Sequence, residues 1–208
     1  CDDDASNDCE QDCFGVWGGT DYDQGCGCGI YDQLPTDGCD NTCGSTLEYD
    51  ECGVCDGNGP EAGFACDGTP IEFVYFQSTQ QAFYYFYTVT ITGNNVDPQD
   101  WVGVFNLSGS CSDPVANSEG WCNAISGVWS PEEVCVGALQ WDISMCNNNV
   151  CSLPVMGNDG SEWTVGYMEP GDIPTYKIFD ASNNEYFVAL PSEDMPYANF
   201  GTFFLDSL

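Results

Sequence analysis

The groups in this chain that could do chemistry are carboxylates and thiols. Fifteen cysteines and 34 Asp or Glu stand against a single Lys or Arg (Lys177) and no His. Without His there is no imidazole base, no Ser-His-Asp relay and no imidazole zinc site. In the first third of the chain, acids and thiols share a pattern. Asp12-Cys13-Phe14-Gly15-Val16-Trp17-Gly18-Gly19 leads to Asp23-Gln24-Gly25-Cys26-Gly27-Cys28-Gly29, and Cys39-Asp40-Asn41-Thr42-Cys43-Gly44 leads to Asp50-Glu51-Cys52-Gly53-Val54-Cys55-Asp56-Gly57-Asn58-Gly59. Calcium is held by six to eight hard oxygens on glycine-containing loops. Asp21 and Asp23 at alternate positions, and Asp50, Asp56 and Asn58 around a glycine run, offer such a set. The plainer reading of any one Asp is a solvated acidic surface.

The cysteines read as disulfides of an oxidising compartment rather than as zinc or redox sites. A reactive Cys-x-x-Cys wants electropositive surroundings, and those of Cys52 and Cys55 are acidic. The candidates are Cys9, Cys13, Cys26, Cys28, Cys39, Cys43, Cys52, Cys55 and Cys66, whose mutual pairing the spacing leaves open. Further along, Cys111 and Cys122 bracket one loop, and Cys146 and Cys151 a shorter one. Two explanations fit the odd total. Cys135, inside Val134-Cys135-Val136, is a buried free thiol. Otherwise Cys1, followed by Asp2-Asp3-Asp4, carries a lipid and Cys135 pairs with the first part.

The net charge of −33 excludes nucleic acid and anionic membrane surfaces as partners, because both are recognised through Lys and Arg. No apolar run approaches the roughly 18–20 residues of a membrane-spanning helix. No signal peptide is present, and the chain reads as a mature secreted form. With 14% aromatic and 42% hydrophobic residues, there is enough apolar surface for a core, unlike in a disordered acidic chain.

Composition divides the chain near Thr69-Pro70. Residues 1–69 hold 17 acids, 10 Cys and 13 Gly with scattered apolar residues, and so need disulfides or cations to order them. Residues 70–208 hold most of the aromatics. They read as strands over 71–76, 82–92, 101–105, 133–141, 163–168, 175–179, 186–190 and 199–205, separated by turns such as Thr92-Gly93-Asn94-Asn95 and Ser182-Asn183-Asn184. This predicts a mainly β chain, with a small disulfide-rich irregular module followed by an antiparallel β-sandwich, immunoglobulin-like or jelly-roll. Gly103 and Gly137, inside strands, mark bulges or close backbone approach.

The Asp/Cys/Gly run over residues 9–68 resembles the thrombospondin type 3-like repeats of secreted proteins of aquatic microbes. Asp100 to Asn106, Val134 to Ala138, Val155 to Gly160 and Gly171 to Ser182 are similar to a β-sandwich module that commonly follows such repeats. The resemblance extends to protomers of extracellular filaments in environmental water. It implies an extracellular structural protein whose partner is itself, as a homopolymer, with calcium and disulfides stabilising it; the module brings no activity with it, and the residues, which lack a catalytic base, predict neither catalysis nor an organic cofactor.

The residues themselves agree with assembly. The strand-forming segment Phe200–Leu205 offers an edge to a neighbour, and calcium would bridge acidic surfaces. The alternative is an adhesion or glycan-binding module. Trp101, Trp141 and Trp163 read as core, whereas Trp121 and Trp129 fall in the loop-like insertion 107–132 and are the candidates for stacking on glycans. Asn106-Leu107-Ser108 is a sequon, making Asn106 a glycosylation candidate or a plain turn residue. A hydrolase would have to draw its carboxylate pair from Glu132, Glu133, Glu162 and Glu169.

Overall fold

A computed structural model describes residues 10–113, 115, 119–146 and 150–208. The chain forms two compact units, residues 1–68 and 69–208. Cys1 and Cys9 lie outside the described residues.

In the first unit no described side chain is fully buried. Hydrophobic burial therefore cannot hold it. Among the described residues, four disulfides do so instead: Cys13–Cys28, Cys26–Cys43, Cys39–Cys55 and Cys52–Cys66. Each closes 14 to 17 residues, and each opens before its predecessor has closed, so the loops interlock like chain links. A loop of this size removes about 3 kcal/mol of entropy from the unfolded chain. Between the links the backbone turns through isolated bridges, Gln11 with Trp17, Asp23 with Cys28 and Tyr49 with Cys55.

The second unit is a β-sandwich. One sheet has the order β6-β1-β9, built from Cys151–Met156, Gln81–Thr88 and Thr202–Ser207. The other has the order β5-β4-β7-β8, built from Trp129–Gln140, Trp101–Cys111, Thr175–Asp180 and Glu185–Ala189. A short ribbon joins β2 (Thr90–Ile91) to β3 (Asn94–Asn95), with Thr92 and Gly93 both at positive φ in the turn, the backbone a two-residue hairpin favours. The helix α1 (Glu119–Ala124) follows β4 and precedes β5 in the chain.

Alternation along the strands makes the core. Ala82, Tyr84 and Phe86 of β1, Leu153 and Val155 of β6 and Leu205 of β9 face Val102, Val104, Val136, Tyr176 and Ile178 of the other sheet. Rings meet edge-on across the gap, Phe86 with Tyr176 at 5.4 Å and with Trp141 at 6.3 Å. Burying each such ring contributes roughly 1.5–3 kcal/mol.

Several expectations are corrected. The sheets are mostly antiparallel, but β1 and β9 pair in parallel, which the long connection between them permits. Residues 71–76 form no strand: Ile71–Phe73 is a 3-10 turn with Phe73 buried. Residues 163–168 do not form one either. Glu162–Thr164 is a 3-10 turn, and Trp163 is 60% exposed rather than core. The insertion 107–132 is not a loop, since β4 and β5 run on as a ribbon to Cys111 and Trp129. Ser108, Gly109 and Ser110 carry no apolar side chain, so no apolar alternation marks this part of β4 in the sequence. Pro154 hid β6 from a propensity reading, and proline is tolerated there because β6 is an edge strand. Within Phe200–Leu205 the strand begins at Thr202, and β9 pairs with β1 on one side while ending its sheet on the other.

The two strand glycines are close approaches. A Cβ on Gly103 would come within 2.8 Å of the Phe73 ring, and one on Gly137 would strike the Pro154 carbonyl. The β4–β5 register shifts between Val104 and Phe105, leaving Val136 as the extra residue next to Gly137.

Candidate functional site

The repeated aspartates are hubs of backbone turns. Asp12 Oδ1 accepts from the Phe14 and Val16 amides at 3.0 and 2.8 Å. Thirty-eight positions later, Asp50 Oδ1 accepts from the Cys52 and Val54 amides at 2.9 and 2.8 Å, and its Oδ2 from Gly59 at 2.8 Å. Asp23 Oδ1 takes Gly25 and Gly27 at 2.7 and 2.9 Å. The rule is an Asp at i accepting from i+2 and i+4. Gly19 and Gly57 sit against Oδ2 of Asp12 and Asp50, where a Cβ would collide with the carboxylate. These amides hold the Asp23 and Asp50 carboxyls below their ordinary pKa: Gly25 then Gly27 for the first, Val54, Gly59 and Cys52 for the second.

The other oxygen candidates are more dispersed. Asp21 Oδ1 accepts from the Tyr31 hydroxyl at 2.5 Å, and that bond raises the Tyr31 pKa. Asp56 is exposed at positive φ (55°), and Asn58 is exposed nearby. Among the described residues, no three Asp, Glu or Cys side chains converge on one point.

In the sandwich, Cys111–Cys122 ties the end of β4 to α1, and Cys146–Cys151 closes the loop before β6. Cys135 is free and buried. Burial pushes its thiol up to about 12, against smaller opposing effects from the Gly137 carbonyl and Lys177. Lys177 sits in the middle of β7, with Nζ 2.6 Å from Glu133 Oε2, 3.6 Å from Glu72 Oε2 and 4.7 Å from the Phe105 ring centre. Desolvation pulls its pKa down, but Glu133 and then Glu72 outweigh it and the ammonium is held above its ordinary value.

Asn106 is buried, and its Nδ2 donates to the carbonyls of Gly166 and Tyr167 at 3.0 and 3.3 Å and to Asp172 Oδ2 at 3.3 Å. The nitrogen that a glycan would join is turned inward in the folded domain, and Asn106 is a cross-link inside β4 rather than a turn residue. Trp121 lies on α1 and is 43% exposed. Trp129 opens β5 with its backbone opposite Cys111, and its side chain falls outside what is described. Of the carboxylates a hydrolase would need, Glu133 is engaged by Lys177 and Glu169 accepts from Asn158 Nδ2 at 3.0 Å, while Glu132 and Glu162 are exposed.

Two surfaces escaped the sequence reading. On the outer face of the β6-β1-β9 sheet, Tyr85 stacks on Phe204 at 4.8 Å and 20°, and Tyr87 lies against Phe204 at 6.5 Å and 26°. The run from Phe83 to Tyr87 is aromatic at every position. A strand aromatic at both parities has an aromatic outer face as well as an aromatic inner one, and that is the signal which was available. The second surface is β8. It pairs with β7 alone and ends its sheet. Val188 and the following Leu190 are 78% and 81% exposed.

Fold and site together define a mainly β protein: an interlocked disulfide module with aspartate-centred turns, followed by a β-sandwich in which β8 ends one sheet. No family model, curated protein or solved structure matches the chain. No helix among the described residues is long and apolar enough to cross a membrane.

Proposed function

We propose that this is an extracellular structural protein that joins copies of itself into a filament or surface layer. The observation that carries the reading is the β8 edge. Soluble proteins protect an edge strand with Lys, Pro, a bulge or a covering element. The strand Glu185–Ala189 carries one charge, at its start, and it leads into Leu190 with Val188 and Leu190 exposed. Such an edge recruits another strand.

Six disulfides among the described residues suit an oxidising exterior. A charge of −33 on each copy opposes close packing, and calcium bridging acidic surfaces offsets that repulsion.

Electron microscopy of the full chain with calcium and with a chelator tests the proposal. Polymers with calcium that shorten or vanish on chelation, and that are lost in the Val188→Lys/Leu190→Lys double variant, are expected. Monodisperse monomers at high calcium and high protein concentration would overturn it.

A further inference from the structure

We propose that the outer face of the β6-β1-β9 sheet binds a neutral polysaccharide along the ridge of Tyr85, Phe204 and Tyr87. The ridge is partly open to solvent, with Tyr87 57% and Phe204 53% exposed. It does not stop at Tyr87. That residue also lines a cavity of about 160 Å³ whose other walls include Val89, Asn95, Trp141 and Ile143. A row of near-parallel rings thus leads to a pocket with an apolar wall and an amide side chain.

Chemistry, charge and size select the occupant. A pyranose ring is apolar across its C–H faces and polar at its rim. The ridge offers aromatic surface, and no described residue hydrogen-bonds the phenols of Tyr85 or Tyr87. Phe83, Tyr85, Tyr87, Ser152, Pro154 and Phe204, whose register puts them on one face, carry no charge, and the acid that the same register adds is Asp206, beside Tyr87. A polyanion is repelled by a −33 chain, and this face has no acid cluster with which to select a polycation.

Three strands about 4.8 Å apart and six residues of about 3.3 Å each give a face of roughly 280 Å². A stable protein dimer buries about 800 Å² per partner, so a second copy would find too little here. The backbone groups of a sheet face are already paired, so there is also no strand addition for a peptide. A polysaccharide needs neither a large area nor free main-chain groups.

Affinity electrophoresis of the full chain in native gels tests this, with hydroxyethylcellulose and galactomannan as neutral probes and alginate as the anionic control. Retardation by at least one neutral polymer, unchanged by salt, and none by alginate is expected. Tyr87→Ala and Phe204→Ala should each weaken it roughly ten-fold, Phe204→Tyr should retain it, and Trp121→Ala should leave it unchanged. The melting temperature of each variant shows whether it is folded, and Phe204→Tyr keeps the test valid if truncation unfolds the sheet. No retardation by either neutral polymer, or retardation indifferent to both truncations, would overturn the proposal. So would light scattering showing a dimer that Phe204→Ala dissolves, because the face would then belong to a second copy.

Discussion

Replacing Gly103 with Ala should destabilise the sandwich in the native background and cease to do so once Phe73 is gone. Phe73 is wholly buried, packing edge-on against Phe105 at 5.8 Å and Tyr186 at 5.5 Å. It reaches that position because Gly103 has no side chain; a Cβ there would meet three ring carbons at 2.8 to 3.0 Å. Overpacking of this kind costs about 1–3 kcal/mol. Phe73→Ala removes the ring and should cost about 3–5 kcal/mol. If the two were independent, the double variant would lose about 4–8 kcal/mol. Because the space left by the ring accepts the new methyl, the double variant should lose no more than Phe73→Ala alone, a coupling of about 1–3 kcal/mol. Urea unfolding of the full chain without reductant, followed by tyrosine and tryptophan fluorescence, measures all four corners of the cycle. Strict additivity would refute the packing of the Ile71–Phe73 turn on the sheet, and with it the reason given for a glycine in mid-strand.

Two further predictions rest on titration. Asp23, Asp50, Asp159 and Asp180 all have pKa values below the ordinary 3.8, the largest effect on Asp159 coming from the Thr79 amide and on Asp180 from the Asn183 side chain. The unfolded chain therefore takes up protons first. The stability these groups contribute is fully present above the unfolded value and is lost as pH falls below it through the folded values. The loss of stability these groups cause below pH 4 should be smaller in Asp159→Asn than in the native chain, read as the change in urea midpoint between pH 5 and pH 3, and an equal change in both would refute the assignment. Cys135, with its thiol raised to about 12 by burial, should resist iodoacetamide at pH 8 in the native protein and react after unfolding without reductant. Rapid native labelling at Cys135, located by peptide mapping, would contradict its burial.

How much of this was legible beforehand depends on how local the determining physics is. The two-part division followed from composition, since a glycine- and acid-rich stretch without apolar periodicity cannot bury itself, whereas alternating aromatic runs can. Strands β1 and β7 were readable because their side chains alternate against a core, and β8 because of its aromatic and β-branched residues. The pairs Cys111–Cys122 and Cys146–Cys151, and the free Cys135, were readable because each pair brackets one short segment and the remaining Cys lies in an apolar run. The far ends of β4 and β5 were not readable, since strand pairing there is supplied by a partner strand rather than by residue type. Trp163 was misread for a related reason: an aromatic residue in an apolar-looking stretch is core only if a sheet passes beneath it, and here a 3-10 turn carries it to the surface.

The aspartates show the same division. Their i+2 and i+4 acceptor geometry is local and recurs in the sequence as Asp-x-x-Gly-Val at residues 12 and 50, an order of residues that composition does not record. Sequence by itself determined the charge, the use of cysteines as disulfides and the β class, because each of these sums over short stretches of chain. Tertiary structure alone decided the interlocked order of Cys13 through Cys66, the inward turn of Asn106, the open edge at β8 and the juxtaposition of Tyr85 and Tyr87 with Phe204. Each of these depends on which residues distant in sequence are brought within a few ångströms, and that is fixed by the closing of the whole core.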